Sequence, residues 1–150
     1  MKKTVILILL LILFTVSGCG TNKTKVLKCS NSSEGTNMNS SGEVVYTFKN
    51  DKVAKATVDI TFKDITVNNI SSVWDSFKTQ FTEQNLPVEE PGFKRTVKSD
   101  DKNYTFTVTY EIDYTKISKE TMEKYEIEDY SEKTYDELKK EALDEGYVCE

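Results

Sequence analysis

The stretch Tyr104–Tyr114, YTFTVTYEIDY, sets Tyr104, Phe106, Val108, Tyr110, Ile112 and Tyr114 against Thr105, Thr107, Thr109, Glu111 and Asp113. Side chains of a β-strand alternate between two faces, so this period-two pattern describes a strand with one apolar and one wetted face. Such strands belong to mostly antiparallel sheets, because parallel sheets are covered on both sides and read as continuous apolar runs. The same alternation recurs at Ala54, Ala56, Val58, Ile60 and Phe62, interleaved with Lys55, Thr57, Asp59, Thr61 and Lys63. Upstream, Val44, Tyr46 and Phe48 begin a strand that stops at Asn50-Asp51-Lys52, so Glu43 to Lys63 reads as a hairpin. A second hairpin runs from Phe93 to Tyr114 and turns at Asp100-Asp101-Lys102-Asn103.

Between the hairpins the period changes. Ile70, Val73, Trp74, Phe77 and Phe81 follow the spacing of an amphipathic helix stopped by Pro87, a lid for the sheet. Toward the end, Ser118 caps a short helix with Ile117 and Met122 at hydrophobic-staple spacing, and Thr134 with Glu137 forms a capping box for another. Gly146 supplies a left-handed stop. The Ser/Asn/Gly-rich stretch from Ser30 to Gly42 reads as an exposed loop joining the first strand to the second. These elements predict an α+β domain: a mostly antiparallel sheet of four or five strands in two hairpins, one covering helix and two short C-terminal helices.

The first residues carry a different message. Lys2 and Lys3 precede an uncharged run from Thr4 to Val16, the charged and apolar regions of a signal peptide. That run is shorter than the roughly 20 residues a helix needs to cross a hydrocarbon core. Val16-Ser17-Gly18-Cys19 resembles the lipobox of bacterial lipoproteins, in which the cysteine thiolate takes a diacylglyceryl group and cleavage falls just before it. The predicted organisation is a signal peptide over 1–18, lipidated Cys19 with a flexible tether over 19–25, and one domain over 26–150. Two buried acyl chains give a stable anchor where one gives a marginal hold, so the expected partner of Cys19 is the membrane and the expected address its extracytoplasmic face. Loss of Lys2 and Lys3 from 20 basic residues leaves 18 against 25 acidic ones, a formal charge of −7. That sign opposes phosphate backbones, so no nucleic-acid partner is expected.

With Cys19 consumed by lipid, two of the three cysteines remain, Cys29 and Cys149. An even remainder outside the cytoplasm invites a disulfide; the alternative is two unpaired thiols. Without any histidine, two thiolates leave a tetrahedral zinc site half built, and no metal or cofactor is expected. The same absence removes Ser-His-Asp and Cys-His machinery. Glu89-Glu90, Asp100-Asp101 and Glu126, Glu128 and Asp129 lack the spacing of a calcium loop and read as solvated turn and helix-end charges. Trp74, Tyr104, Tyr110 and Tyr114 either fill the core or line a ligand groove, and their regular spacing favours core. The expected function is a non-enzymatic, tethered module that binds an envelope protein, a wall component or a small ligand. The alternatives are a carboxylate-dependent, carbohydrate-active hydrolase, and a precursor whose cleaved signal is itself a peptide signal.

The lipobox, the hairpin Tyr-Thr-Phe-Lys-Asn-Asp-Lys-Val at Tyr46 to Val53, the alternating strand from Tyr104, and the closing Tyr135-Asp136-Glu137-Leu138 helix ending in Gly146-Tyr147 together resemble the YehR-like lipoprotein family. The resemblance spans nearly the whole chain. It implies a small, lipid-anchored protein and brings no active site with it.

Overall fold

The computed structural model describes residues 24–35, 38–63, 65 and 70–150. Seven strands, β1 (Thr24–Ser33), β2 (Asn39–Lys49), β3 (Lys52–Lys63), β4 (Val88–Glu90), β5 (Phe93–Asp100), β6 (Thr105–Asp113) and β7 (Val148–Cys149), form one sheet. Their spatial order is β4-β5-β6-β3-β2-β1-β7, and every pairing is antiparallel. Among the described residues three helices accompany them: α1 (Ile70–Gln84), α2 (Lys119–Lys124) and α3 (Tyr135–Asp144). The chain is therefore α+β with an antiparallel sheet.

Register explains why the core lies on one side. Reading across the strands, Leu27 opposes Tyr46, Tyr46 opposes Ala56, Ala56 opposes Ile112, and Ile112 opposes Phe93. Opposed residues share a face, so this row and its neighbours Cys29, Val44, Val58, Tyr110, Phe62 and Phe106 all point the same way. All three helical regions pack on that face. Leu138 of α3 joins Leu27, Cys29, Val44, Phe48 and Val53. Tyr125 and Ile127, just beyond α2, lie against Ala56, Phe93 and Ile112. Trp74 of α1 packs with Ile65 and Phe106, flanked by Phe77 and Phe81. The opposite face presents threonines and charges, with Thr61 bonded to Thr107 and Thr109 donating to Asp59 across the strands.

Turns follow from local chemistry. Asn50 and Asp51 both adopt positive φ, 55° and 64°, the type I′ conformation whose twist matches a two-residue hairpin. In the second hairpin the Asp100 carboxylate accepts hydrogen bonds from the Lys102 and Asn103 amides and from Asn103 Nδ2. Ser118 Oγ accepts from the Thr121 amide at 3.1 Å. Both halves of the Thr134–Glu137 capping box are present. Gly146 sits at φ 86°.

Several expectations need correction. The sheet has seven strands rather than four or five, because β4 and β7, of three and two residues, are too short to show a period. The loop expected over Ser30–Gly42 is largely strand: Ser30 pairs with Glu43, Asn31 with Gly42, Ser32 with Ser41 and Ser33 with Ser40. Ladder hydrogen bonds need no apolar side chains, so polar alternation there concealed a strand that β3 extends beside. Thr24 and Lys25, expected in the tether, pair with Lys49 and Phe48. Alternation places Ala54 in the apolar row, but the register steps between Thr47 and Phe48, leaving Ala54 as a bulge and sending Val53 into the core at 3% exposure.

Candidate functional site

The helices do not meet over the centre of the sheet. α1 covers the Phe62 and Phe106 end, α3 the side of Leu27 and Phe48, and the segment after α2 the side of Phe93. Val58, on central strand β3 and aimed at the helical face, consequently stays only half-buried. Above it opens a cleft of about 370 Å³ lined by Tyr46, Tyr110, Tyr114, Tyr125 and Tyr130, with Glu126 and Glu128 at its edge. A second hollow of about 210 Å³ shares Tyr46, Val58 and Tyr130 with it and adds Glu141, Glu145 and Tyr147. Six of the chain's eight tyrosines therefore surround one crevice.

The rings are held in place. Tyr46 and Tyr130 meet edge to face with centroids 5.9 Å apart. The Tyr130 hydroxyl donates to Glu128 Oε2 at 2.8 Å, and the Tyr114 hydroxyl donates to the Glu128 carbonyl at 3.1 Å. Phe93 braces Tyr125 at 4.9 Å, and Tyr125 in turn donates to Glu90 at 2.7 Å. Burial, reinforced by Tyr147 and the carboxylates Glu128, Glu145 and Glu141, pushes the Tyr46 hydroxyl up to about 12. Burial likewise raises Tyr114 and Tyr130, with Glu128 adding to both. The crevice is thus apolar and aromatic in its walls and negative in potential.

The four aromatics marked in the sequence divide between roles. Trp74, 4% exposed, and Tyr104 belong to the α1 core, with Trp74 4.7 Å from Phe106 and 5.2 Å from Tyr104. Tyr110 and Tyr114 pack against the cluster of Ala56, Phe93 and Ile112, as expected of core residues, and also line the cleft. Four further tyrosines line the crevice: Tyr46 is legible only as an apolar position of β2, and Tyr125, Tyr130 and Tyr147 only as the recurrence of tyrosine through an otherwise acidic C-terminal segment.

Several of the paired carboxylates do structural work, at separate places. Glu90 accepts from Lys124 Nζ and Tyr125 at 2.7 Å each and from Thr121 at 3.3 Å, tying β4 to α2, and these donors, Lys124 first, lower its pKa. Asp101 accepts from the Trp74 indole at 2.8 Å and from Lys78 at 3.1 Å, which fastens α1 to the second hairpin. Asp129 accepts from the Ser131 amide at 2.9 Å. Among the described residues, no three Cys, Asp or Glu side chains gather as metal ligands. Cys29 and Cys149 are joined, with Cα atoms 4.1 Å apart. A larger hollow of about 580 Å³ lies beside β1 and β2, but its carboxylates are already engaged, Glu43 with Lys28 and Asp59 with Thr109. Cys19 and the signal segment lie outside the described residues, and among those described no helix is long and apolar enough to cross a membrane.

The class defined by this geometry is a one-sided antiparallel sheet with helices on a single face. No protein-family model and no curated protein matches the chain. A solved structure is similar: the NMR structure of a protein from Streptococcus pneumoniae TIGR4 superposes with a TM-score of 0.54, covering 89% of each chain at 13% identity. At that identity the likeness concerns the fold alone.

Proposed function

We propose that the chain is a lipid-anchored, extracytoplasmic binding protein that holds a small ligand in the tyrosine cleft and catalyses no reaction. The observation that carries this reading is the gathering of six of eight tyrosines, each half-buried against the core, around one crevice. Ligand sites are concave and mostly apolar, with few polar groups that fix orientation, and the cleft has that composition. The lipobox at Val16–Cys19 supports the anchor, and β1 begins at Thr24, so the domain sits close to the lipid. The test joins both parts. Full-length protein is expected in the membrane fraction with diacylglyceryl on Cys19 by mass spectrometry, and Cys19→Ala is expected to remain uncleaved and unlipidated. A ligand found by thermal-shift screening should protect the wild type and not Tyr46→Leu. An unmodified Cys19, or protection equal in both proteins, would overturn the corresponding half.

A further inference from the structure

We infer that the ligand of the cleft is a small organic cation, an alkylguanidinium or alkylammonium group laid against the tyrosine rings with its charge toward Glu126, Glu128, Glu141 and Glu145. This rests on the cleft being a binding site, and it adds the chemical class of what enters.

Two independent features point to a cation. The first is the wall: tyrosine faces carry negative quadrupole potential, and a cation within about 6 Å of a ring centroid is attracted, more strongly as water is excluded. The protein already uses this contact at the cleft, where the Lys124 ammonium stands 4.9 Å from the centroid of Tyr125. The second is the rim. Of the four carboxylates, Glu128 is bonded to Tyr130 and Glu141 to Lys133, while Glu126 and Glu145 have no side-chain partner among the described residues. Glu128, Glu141 and Glu145 all act electrostatically on Tyr46, so their fields converge at the wall shared by the two hollows. A neutral sugar would use the same rings, and the carboxylates decide between the two. An anion would meet aromatic faces and four acids, and the two nearby lysines, Lys124 and Lys133, are already paired with Glu90 and Glu141.

Size fits as well. A cavity of about 370 Å³ is at the lower end of ordinary small-molecule pockets, which suits a short alkyl cation better than a folded partner.

The experiment uses the full-length chain in lipid nanodiscs and compares butylguanidinium with butylurea, its neutral counterpart of the same shape, by calorimetry and by amide NMR shifts. The expected result is at least tenfold tighter binding of butylguanidinium, with shifts at Tyr46, Tyr114 and Tyr130. Glu145→Gln and Glu126→Gln, both exposed and safe for folding, should each weaken the cation three- to tenfold and leave butylurea unchanged. Equal binding of the two probes, insensitive to both variants, would overturn the cation and leave the cleft as a site for neutral ligands. Shifts from neither probe at the three tyrosines would overturn both readings.

Discussion

Cys29 and Cys149 are directly opposed residues of β1 and β7, and flanking them Lys28 and Glu150 exchange both backbone hydrogen bonds. The cysteines thus occupy a non-hydrogen-bonded pair, where antiparallel Cα atoms come closest, and theirs are 4.1 Å apart. The bond joins residues 120 apart in sequence and tethers a strand of two residues that its own ladder would scarcely hold. In the chain-entropy account such a loop is worth about 4 to 5 kcal/mol. Reduction, or Cys149→Ser, should therefore lower the melting temperature by roughly 10 to 25 °C. Calorimetry with and without reductant checks this, and an unchanged transition would refute it.

Acid should loosen the attachment of α1. Asp101 is held below the usual carboxylate range by its hydrogen bond from the Trp74 indole first and from Lys78 second. A carboxylate with a depressed folded-state pKa contributes stability in full above its unfolded value, and that contribution is lost as pH falls through the folded value. Trp74 is the sole tryptophan and buried, so its fluorescence should shift to the red below about pH 4, the ordinary aspartate range. Asp101→Asn keeps an acceptor for the indole while removing the titration, and its emission should be less sensitive to acid.

At the alkaline end the sign reverses. Tyr46, Tyr114 and Tyr130 all have hydroxyls raised by burial, so the stability they lend is complete below pH 10 and disappears as pH climbs through their folded values, about 12 for Tyr46. Absorbance titration at 295 nm should show a late-ionising group of tyrosines whose ionisation coincides with loss of near-ultraviolet circular dichroism. A single early phase for all tyrosines would contradict the burial of the cleft rings.

Two glycines offer a contrast. Both Gly92 and Gly146 hold positive φ, 79° and 86°, but an added Cβ at Gly146 meets nothing, whereas at Gly92 it would lie 2.3 Å from the Ile117 backbone nitrogen. Gly146→Ala should cost about 1 kcal/mol for left-handed backbone alone. Gly92→Ala should cost several times that, since Gly92 also accepts the Asp113 amide at 2.8 Å and its neighbours are backbone that cannot swing aside. Denaturant melts of the two variants measure the difference.

Much of this fold is written in alternation. The strand from Thr105 to Asp113, the long run of β3 and the stripe of α1 declare themselves because burial on one side imposes a period, and the caps at Ser118 and Thr134 declare themselves because few residues satisfy orphan amides. What stays hidden is governed by pairing rather than burial. The polar ends of β1 and β2 and the two- and three-residue strands owe their form to neighbours distant in sequence. The cleft was half visible for a similar reason: Tyr110 and Tyr114 stand out on a patterned strand, whereas Tyr125 and Tyr130 lie in irregular chain whose path only tertiary contacts set.

The bulge at Ala54 behaves like a frameshift that corrects itself. Before it Val53 faces inward, after it Ala56 does, and the single supernumerary residue keeps both stretches in phase with Phe48 and Tyr46 on the partner strand. Remove Ala54 and the two halves of β3 still read in frame, each side chain keeping its face, where deletion at Thr57 would turn Lys55 and Val53 to the wrong sides. Within β3 the bulge is thereby a place where the sheet can lose a residue without rewriting its interior.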